Sequence, residues 1–124
     1  MGENDMMTPK EVMEEIVKAL DSKKARDIKV LKTDQVSVLA DYFVICTAGS
    51  TTQIKTLNDE TGKVLSEMGE PPLHNEGYRD GGWVLLDFGC VVVHIFLEET
   101  RKFYDLERLW SDAEKVDISS LLTE

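Results

Sequence analysis

The sequence has no apolar run long enough to cross a bilayer. Its densest apolar stretches, residues 83–86 and 91–93, are far shorter than the roughly 20 residues that a membrane-spanning helix needs. The acidic beginning, MGENDMMTPKEVMEE, has neither the apolar segment of a signal peptide nor the arginines of a transit peptide. We therefore expect a cytoplasmic protein that does not associate with membranes.

Cysteine is scarce, and the two that occur, Cys46 and Cys90, both lie in apolar, strand-like segments. This usage argues against a disulfide framework and favours reduced thiols inside a folded domain. Neither the cysteines nor His74 and His94 have the close spacing of zinc ligands. The sequence therefore predicts no metal site and no cofactor.

Basic residues are outnumbered, with 14 Lys and Arg against 24 Asp and Glu and a formal net charge of −10. Such a charge repels nucleic-acid phosphates and anionic lipids, so we expect little direct contact with nucleic acid. It favours encounter with a basic protein surface, because opposite fields raise association rates. Solubility alone is the alternative explanation for this acidity.

Two segments carry the signals of a helix start. Residues 8–11, TPKE, combine a capping hydroxyl, a proline in the first turn and a carboxylate three residues after the cap, and predict a helix that ends near Ser22. Residues 50–53, STTQ, repeat the capping pattern before an apolar stripe that stops at Gly69.

Strand-like segments occur at residues 27–33 and 42–46, and two denser ones flank Gly89. The latter pair is apolar at nearly every position, so we expect both strands to lie centrally in a sheet that is covered on both faces. The order of elements predicts one α/β domain with a small mixed sheet flanked by helices. We place this domain at residues 8–116, between flexible ends at 1–7 and 117–124.

A third helix is expected to start near Glu98, with Phe103, Leu106 and Trp110 on its buried stripe. Beyond Ser111 the chain turns polar, and we expect it to fray.

The loop between the two dense strands decides which side chains meet. A two-residue loop at Gly89 and Cys90 places Asp87 and His94 on one face of the sheet, and one additional loop residue separates them. His94 is then either a histidine of the core or interface, the commoner situation, or part of a Cys–His pair for catalysis. Trp83 and Tyr104 are candidates for partner contacts, because such rings bury much area and keep a polar handle.

Gly49 and Ser50 follow a strand and open a helix, which is a possible anion-binding corner. No Walker lysine accompanies them, and a serine cap explains the same residues without a ligand.

Four segments occur in the order ADYFVICTAGSTTQI (residues 40–54), WVLLDFG (83–89), VVVHIF (91–96) and YDLERLW (104–110). Together they resemble the ribosomal silencing factor family, also called the Iojap family, over about residues 8–116. The resemblance implies a fold with a nucleotidyltransferase-like core. It further implies binding to a basic protein on the intersubunit face of the large ribosomal subunit, steric hindrance of subunit joining, repression of translation, and a homodimer when free.

We place seven residues at or beside the implied partner-binding patch, with the acidic ones facing the basic partner: Asp41, Tyr42, Trp83, Asp87, His94, Tyr104 and Glu107. Alternatives are an adaptor for large-subunit assembly and a small nucleotide-dependent transferase. Cys90 departs from the family, which usually has an acidic residue there. The metal-holding aspartates of nucleotidyltransferases are also missing, because Asp59 and Glu60 fall in a predicted helix. The interpretation is therefore a binding protein without catalytic residues.

Overall fold

A computed structural model describes residues 7–35, 40–78, 81–109 and 111–123. Trp110, which we expected in the buried stripe of the third helix, lies outside these ranges. The helices are α1 (Pro9–Ser22), α2 (Thr51–Glu67), α3 (Glu98–Tyr104) and α4 (Leu106–Leu109). The strands are β1 (Arg26–Lys32), β2 (Tyr42–Ala48), β3 (His74–Tyr78), β4 (Trp83–Asp87), β5 (Val91–Leu97) and β6 (Glu114–Lys115), followed by a 3-10 turn at Ser119–Leu121. None of these helices is both long and apolar enough to cross a membrane.

The strands form one sheet in the order β3-β4-β5-β2-β1-β6. β2 and β5 pair in parallel, and the other neighbours are antiparallel, which confirms the predicted mixed α/β class. Every residue of β2 is buried, and β5 is buried at five of its seven positions. The prediction that both dense strands are covered on both faces of the sheet is wrong for β4. Four of its five residues are only half-buried, because little of the chain packs over one of its faces.

Local capping sets the starts of both long helices. At α1 the Thr8 hydroxyl accepts a hydrogen bond from the Glu11 amide at 3.1 Å, and the Glu11 carboxylate accepts one from the Thr8 amide at 2.9 Å. At α2 the Ser50 hydroxyl accepts from the Gln53 amide at 3.0 Å. Both predicted helices are confirmed because their signals involve only neighbouring residues.

Apolar side chains pack on both faces of the sheet. On the covered face, α1 and α2 lie against the sheet, and the core includes Ile16, Leu20, Val44, Leu57 and Ile95. The opposite face carries a smaller buried group of Leu31, Ala40, Phe43, Ile45, Phe96 and Ala113, with half-buried Trp83, Val92, Tyr104 and Leu106 against it. We call this second side the aromatic face.

The third helix is shorter than predicted. It ends at Tyr104, and Asp105 takes a left-handed conformation with φ of 48° before α4 begins. Phe103 is 72% exposed, so the prediction that it is buried is wrong. The break at Asp105 changes the direction of the chain, so residues before and after it do not share one helical stripe.

The chain after Ser111 is packed, and the expectation that it frays is wrong for residues 113–123. Ala113 and Ile118 are buried, and β6 pairs with β1. Thr123 donates two hydrogen bonds to the Asp21 carboxylate, at 3.0 Å from its amide and 2.9 Å from its hydroxyl. A few well-placed apolar side chains hold this segment despite its polar composition.

Candidate functional site

The β4–β5 hairpin has the two-residue loop that brings Asp87 and His94 to one face. Asp87 lies opposite Val92, Leu85 opposite His94, and Trp83 opposite Phe96. Gly89 takes a φ of 87° in the loop, a left-handed conformation that favours glycine. Of the two registers that the sequence leaves open, the structure therefore has the one in which Asp87, His94 and Trp83 share the aromatic face.

Trp83 is the centre of a ring cluster on this face. Its ring centroid lies 4.6 Å from that of Tyr104, 5.1 Å from that of Phe96 and 5.9 Å from that of His94. Phe43 meets His94 edge-on at 5.3 Å. Trp83 and Tyr104 are only half-buried, so the cluster leaves aromatic surface accessible while its inner rings hold it in place.

His94 lies beneath this cluster and is 5% exposed. The Trp83 indole nitrogen donates a hydrogen bond to His94 Nδ1 at 3.3 Å. Burial lowers the pKa of His94 from 6.5 to about 4, because the charged form loses its hydration. His94 is therefore neutral at pH 7.

The thiols are poorly placed for a nucleophilic pair with His94. Cys46 belongs to the covered face, on the other side of the sheet, and burial raises its pKa to about 12. Burial also raises the pKa of Cys90. Both are free thiols and stay protonated at neutral pH, whereas nucleophilic cysteines need the thiolate.

Asp41 and Asp87 flank the hairpin loop. The Asp41 amide donates to the Cys90 carbonyl at 2.8 Å, and Asp87 Oδ1 accepts from the Gly89 amide at 2.7 Å. Asp87 thus shapes the turn as well as carrying charge, a role that its place two residues before Gly89 allows.

Tyr42 and Glu107 are not brought together with the others as free contact groups. Tyr42 is 9% exposed and packs in the core of the covered face. Glu107 accepts hydrogen bonds from Arg101, at 3.3 Å from Nε and 2.9 Å from Nη2. Glu107 stays a predicted member of the patch, and its carboxylate is already paired with an internal cation.

Arg101 is the structural residue that sequence reasoning missed. It is 7% exposed and also donates from Nη1 to the Asp27 carbonyl at 2.7 Å and to the Thr47 hydroxyl at 2.8 Å. Its sequence neighbour Lys102 is exposed, and nothing in the sequence distinguishes the buried cation from the exposed one.

The Gly49–Ser50 corner is closed by its own side chains. Gln53 Oε1 accepts from the Gly49 amide at 2.6 Å, and the Gln53 side-chain amide donates to the carbonyls of Lys23 and Lys24. The amides of Gly49 and Gln53 are thus engaged internally. Asp59 lies in α2, where it pairs with Lys55 at 3.0 Å.

Within the described residues, no group of three or more His, Cys, Asp and Glu side chains is arranged to hold a metal ion.

The sheet, with helices on its covered face and half-exposed rings on its aromatic face, defines a small mixed α/β domain. Residues 6–124 match the family model described as "Ribosomal silencing factor during starvation", and the chain belongs to this family. It is 38% identical to the ribosomal silencing factor RsfS of Halalkalibacterium halodurans, covering 94% of this chain and 100% of that protein.

A crystal structure of protein CV0518 from Chromobacterium violaceum superposes with a TM-score of 0.82 at 35% identity, covering 85% of this chain and 88% of that one. A mouse protein named mitochondrial assembly of ribosomal large subunit protein 1 is 32% identical over 89% of this chain and 50% of its own length.

Proposed function

We propose that the protein binds a basic protein on the intersubunit face of the large ribosomal subunit through its aromatic face and blocks subunit joining by occupying space. The observation that carries the proposal is the half-exposed ring cluster of Trp83 and Tyr104, supported from below by Phe96 and His94. Rigid aromatic side chains held by packed neighbours are the usual energetic centres of protein interfaces. The mechanism requires binding and no catalysis.

The size of the molecule suits steric exclusion. A standard interface covers about 800 Å² on each partner, which is roughly a ninth of the accessible surface of 7224 Å². Most of the docked domain therefore still protrudes from its partner, where it obstructs a second subunit.

Acidic side chains beside the ring cluster support a basic partner. Asp87 is half-buried on the aromatic face, and exposed Glu76 lies opposite Leu85 on the neighbouring edge strand. The chain as a whole carries a net charge of −10. Charge of one sign around an aromatic centre steers an oppositely charged surface and discriminates against other partners.

Free protein is proposed to be a homodimer in the cytoplasm. The apolar stripe of α1 is occupied within the chain, because Val12, Met13, Ile16 and Val17 are all buried. The contact between copies must therefore use another surface.

The test is co-sedimentation with purified large ribosomal subunits, followed by an assay of subunit joining. Trp83→Ala should weaken binding by at least about 30-fold, since a central aromatic anchor contributes on the order of 2 kcal/mol or more. Met68→Ala is the matched control, because Met68 is also exposed but follows α2, the helix on the covered face. Equal binding by the two variants would contradict the proposed face.

The charge of Asp87 is tested separately with Asp87→Asn, which keeps an acceptor for the Gly89 amide and removes only the charge. We expect weaker binding than for Glu67→Gln, the same change of charge on exposed Glu67 of α2.

An assembly adaptor is the second candidate, favoured by the name of the mouse relative. Both candidates bind the large subunit, and only steric silencing requires that added protein inhibit the joining of mature subunits. Binding without inhibition would favour assembly.

A further inference from the structure

The protonation state of His94 follows from its neighbour. An indole nitrogen only donates hydrogen bonds, so the Trp83 nitrogen at 3.3 Å requires His94 Nδ1 to be the acceptor. Neutral imidazole has one proton, and this proton must then lie on Nε2. His94 therefore presents an N–H donor at Nε2.

That donor has no partner within the described residues. Nε2 is fully buried and no acceptor lies within hydrogen-bonding distance of it. A buried donor that has lost water without gaining an acceptor costs about 1–3 kcal/mol. Such groups are uncommon in native proteins, and a missing ligand is one of the ordinary reasons for them.

The position of Nε2 indicates where the acceptor comes from. His94 points to the aromatic face, and side chains of a strand stand roughly perpendicular to the sheet. Nε2 is at the outer end of the ring, so it lies on the side where Trp83 and Tyr104 are half-exposed. Because Nε2 is fully buried, a partner atom reaches it only when side chains above it move on docking.

We propose that His94 is a partner-binding residue whose Nε2–H donates a hydrogen bond to a main-chain carbonyl oxygen of the docked partner. The inference rests on the proposed function and specifies its contact. Lysine and arginine side chains only donate hydrogen bonds, so a basic protein offers its main-chain carbonyls as the most abundant acceptors. The free protein is thus held in a state that is less stable than its apolar equivalent, and docking satisfies the donor.

The test uses His94→Phe and His94→Leu, which remove the unpaired donor. Both should raise the melting temperature of the free protein and weaken co-sedimentation with purified large subunits by about tenfold, the loss of one hydrogen bond to a neutral acceptor. Both variants also remove the acceptor of the Trp83 indole nitrogen, and we expect water to replace that acceptor because Trp83 is half-buried. Substitution of a residue that only supports the fold gives a different result, because it lowers both the melting temperature and the binding.

Ile45→Val is the matched control, because Ile45 is buried and lies directly beside His94 on β2. It should lower the melting temperature without changing co-sedimentation. Lower melting temperatures for both His94 variants, or unchanged binding by them, would overturn the proposal.

A direct measurement of the tautomer uses the full chain with His74→Gln, which leaves His94 as its one histidine. Nitrogen-15 NMR should show an unprotonated Nδ1 and a protonated Nε2 at pH 7, and the reverse assignment would overturn the proposal. Failure of the wild-type protein to sediment with large subunits would instead overturn the proposed function and the His94 contact with it. Wild-type binding that the His94 variants retain would overturn the contact alone.

Discussion

At the residue scale, Arg101 and His94 are buried polar residues in opposite situations. Arg101 directs its guanidinium to partners on β1, β2 and α4, whereas His94 uses one ring nitrogen and leaves the other unpaired. Selection for stability alone favours the first arrangement, because a buried polar group destabilises the fold least when all its hydrogen bonds are made. The second is the arrangement expected where function competes with stability.

The depressed pKa of His94 predicts how stability depends on pH. The unfolded chain takes up a proton near pH 6.5, and the folded chain does so only near pH 4. Between these values the unfolded state binds more protons, so stability is full above pH 6.5 and decreases as the pH falls toward 4. Urea denaturation at pH 7.5 and pH 5 should show that His94→Phe loses about 2 kcal/mol less than the wild type.

The two proteins have every other ionisable group in common, so the difference between them isolates His94. Parallel decreases of stability would show that His94 has an ordinary pKa in the folded state.

The sequence reduced the placement of Asp87 and His94 to two alternatives. Gly89 marks the loop between the strands, and because side chains alternate with a period of two, a two-residue loop brings Asp87 and His94 to one face whereas one additional residue separates them. The pairing of Arg101 with Glu107 was not predictable, since it depends on a turn at Asp105 that no apolar pattern marks. Sequence reasoning therefore assigned Glu107 to the partner instead of to Arg101.

At the element scale, Arg101 fixes the turn at Asp105 between α3 and α4, which we call the elbow. It connects α3 to the carbonyl of Asp27, to the Thr47 hydroxyl and to the Glu107 carboxylate. The elbow in turn holds Tyr104 against Trp83. A change far from the exposed rings can therefore alter the surface that they present.

Arg101→Lys should lower the free energy of unfolding by about 2–4 kcal/mol, although the charge is kept. A lysine ammonium lacks the planar fork that reaches Glu107 and Thr47 together, and leaves buried acceptors unpaired. Lys102→Ala is the control, because its ion pair with Glu98 is exposed and contributes little. Urea denaturation measures the free energy of unfolding of both variants. Equal values would show that the contacts of Arg101 do not stabilise the fold.

The elements that the sequence indicated are those with local signals or strong apolar patterns. Caps mark α1 and α2, and dense apolar runs mark β2 and β5. The strand β3 has the sequence HNEGY, and its described side chains at 74–77 are exposed, so it lacks the alternation that a half-buried strand shows. It is a strand because it pairs with β4, and such pairing is a long-range property.

At the scale of the whole molecule, the two faces of the sheet have different tasks. The covered face contains most of the fully buried side chains and supplies the stability of the fold. The aromatic face has the smaller buried group and the half-exposed rings. This division allows the surface for a partner to carry an unpaired donor, because the stability of the domain rests chiefly on the other side.

The net charge of −10 predicts that salt slows association more than it speeds dissociation. Long-range attraction between an acidic protein and a basic surface is screened within about 10 Å at 0.1 M salt, whereas contacts of packed rings are hardly affected. Raising potassium chloride from 20 to 300 mM should therefore lower the association rate with large subunits at least about tenfold. Interferometry on immobilised subunits separates the two rate constants. If charge beside the rings directs the encounter, the association rate of Asp87→Asn should depend less on salt than that of Glu67→Gln. An association rate that does not change with salt would leave aromatic burial as the sole basis of recognition.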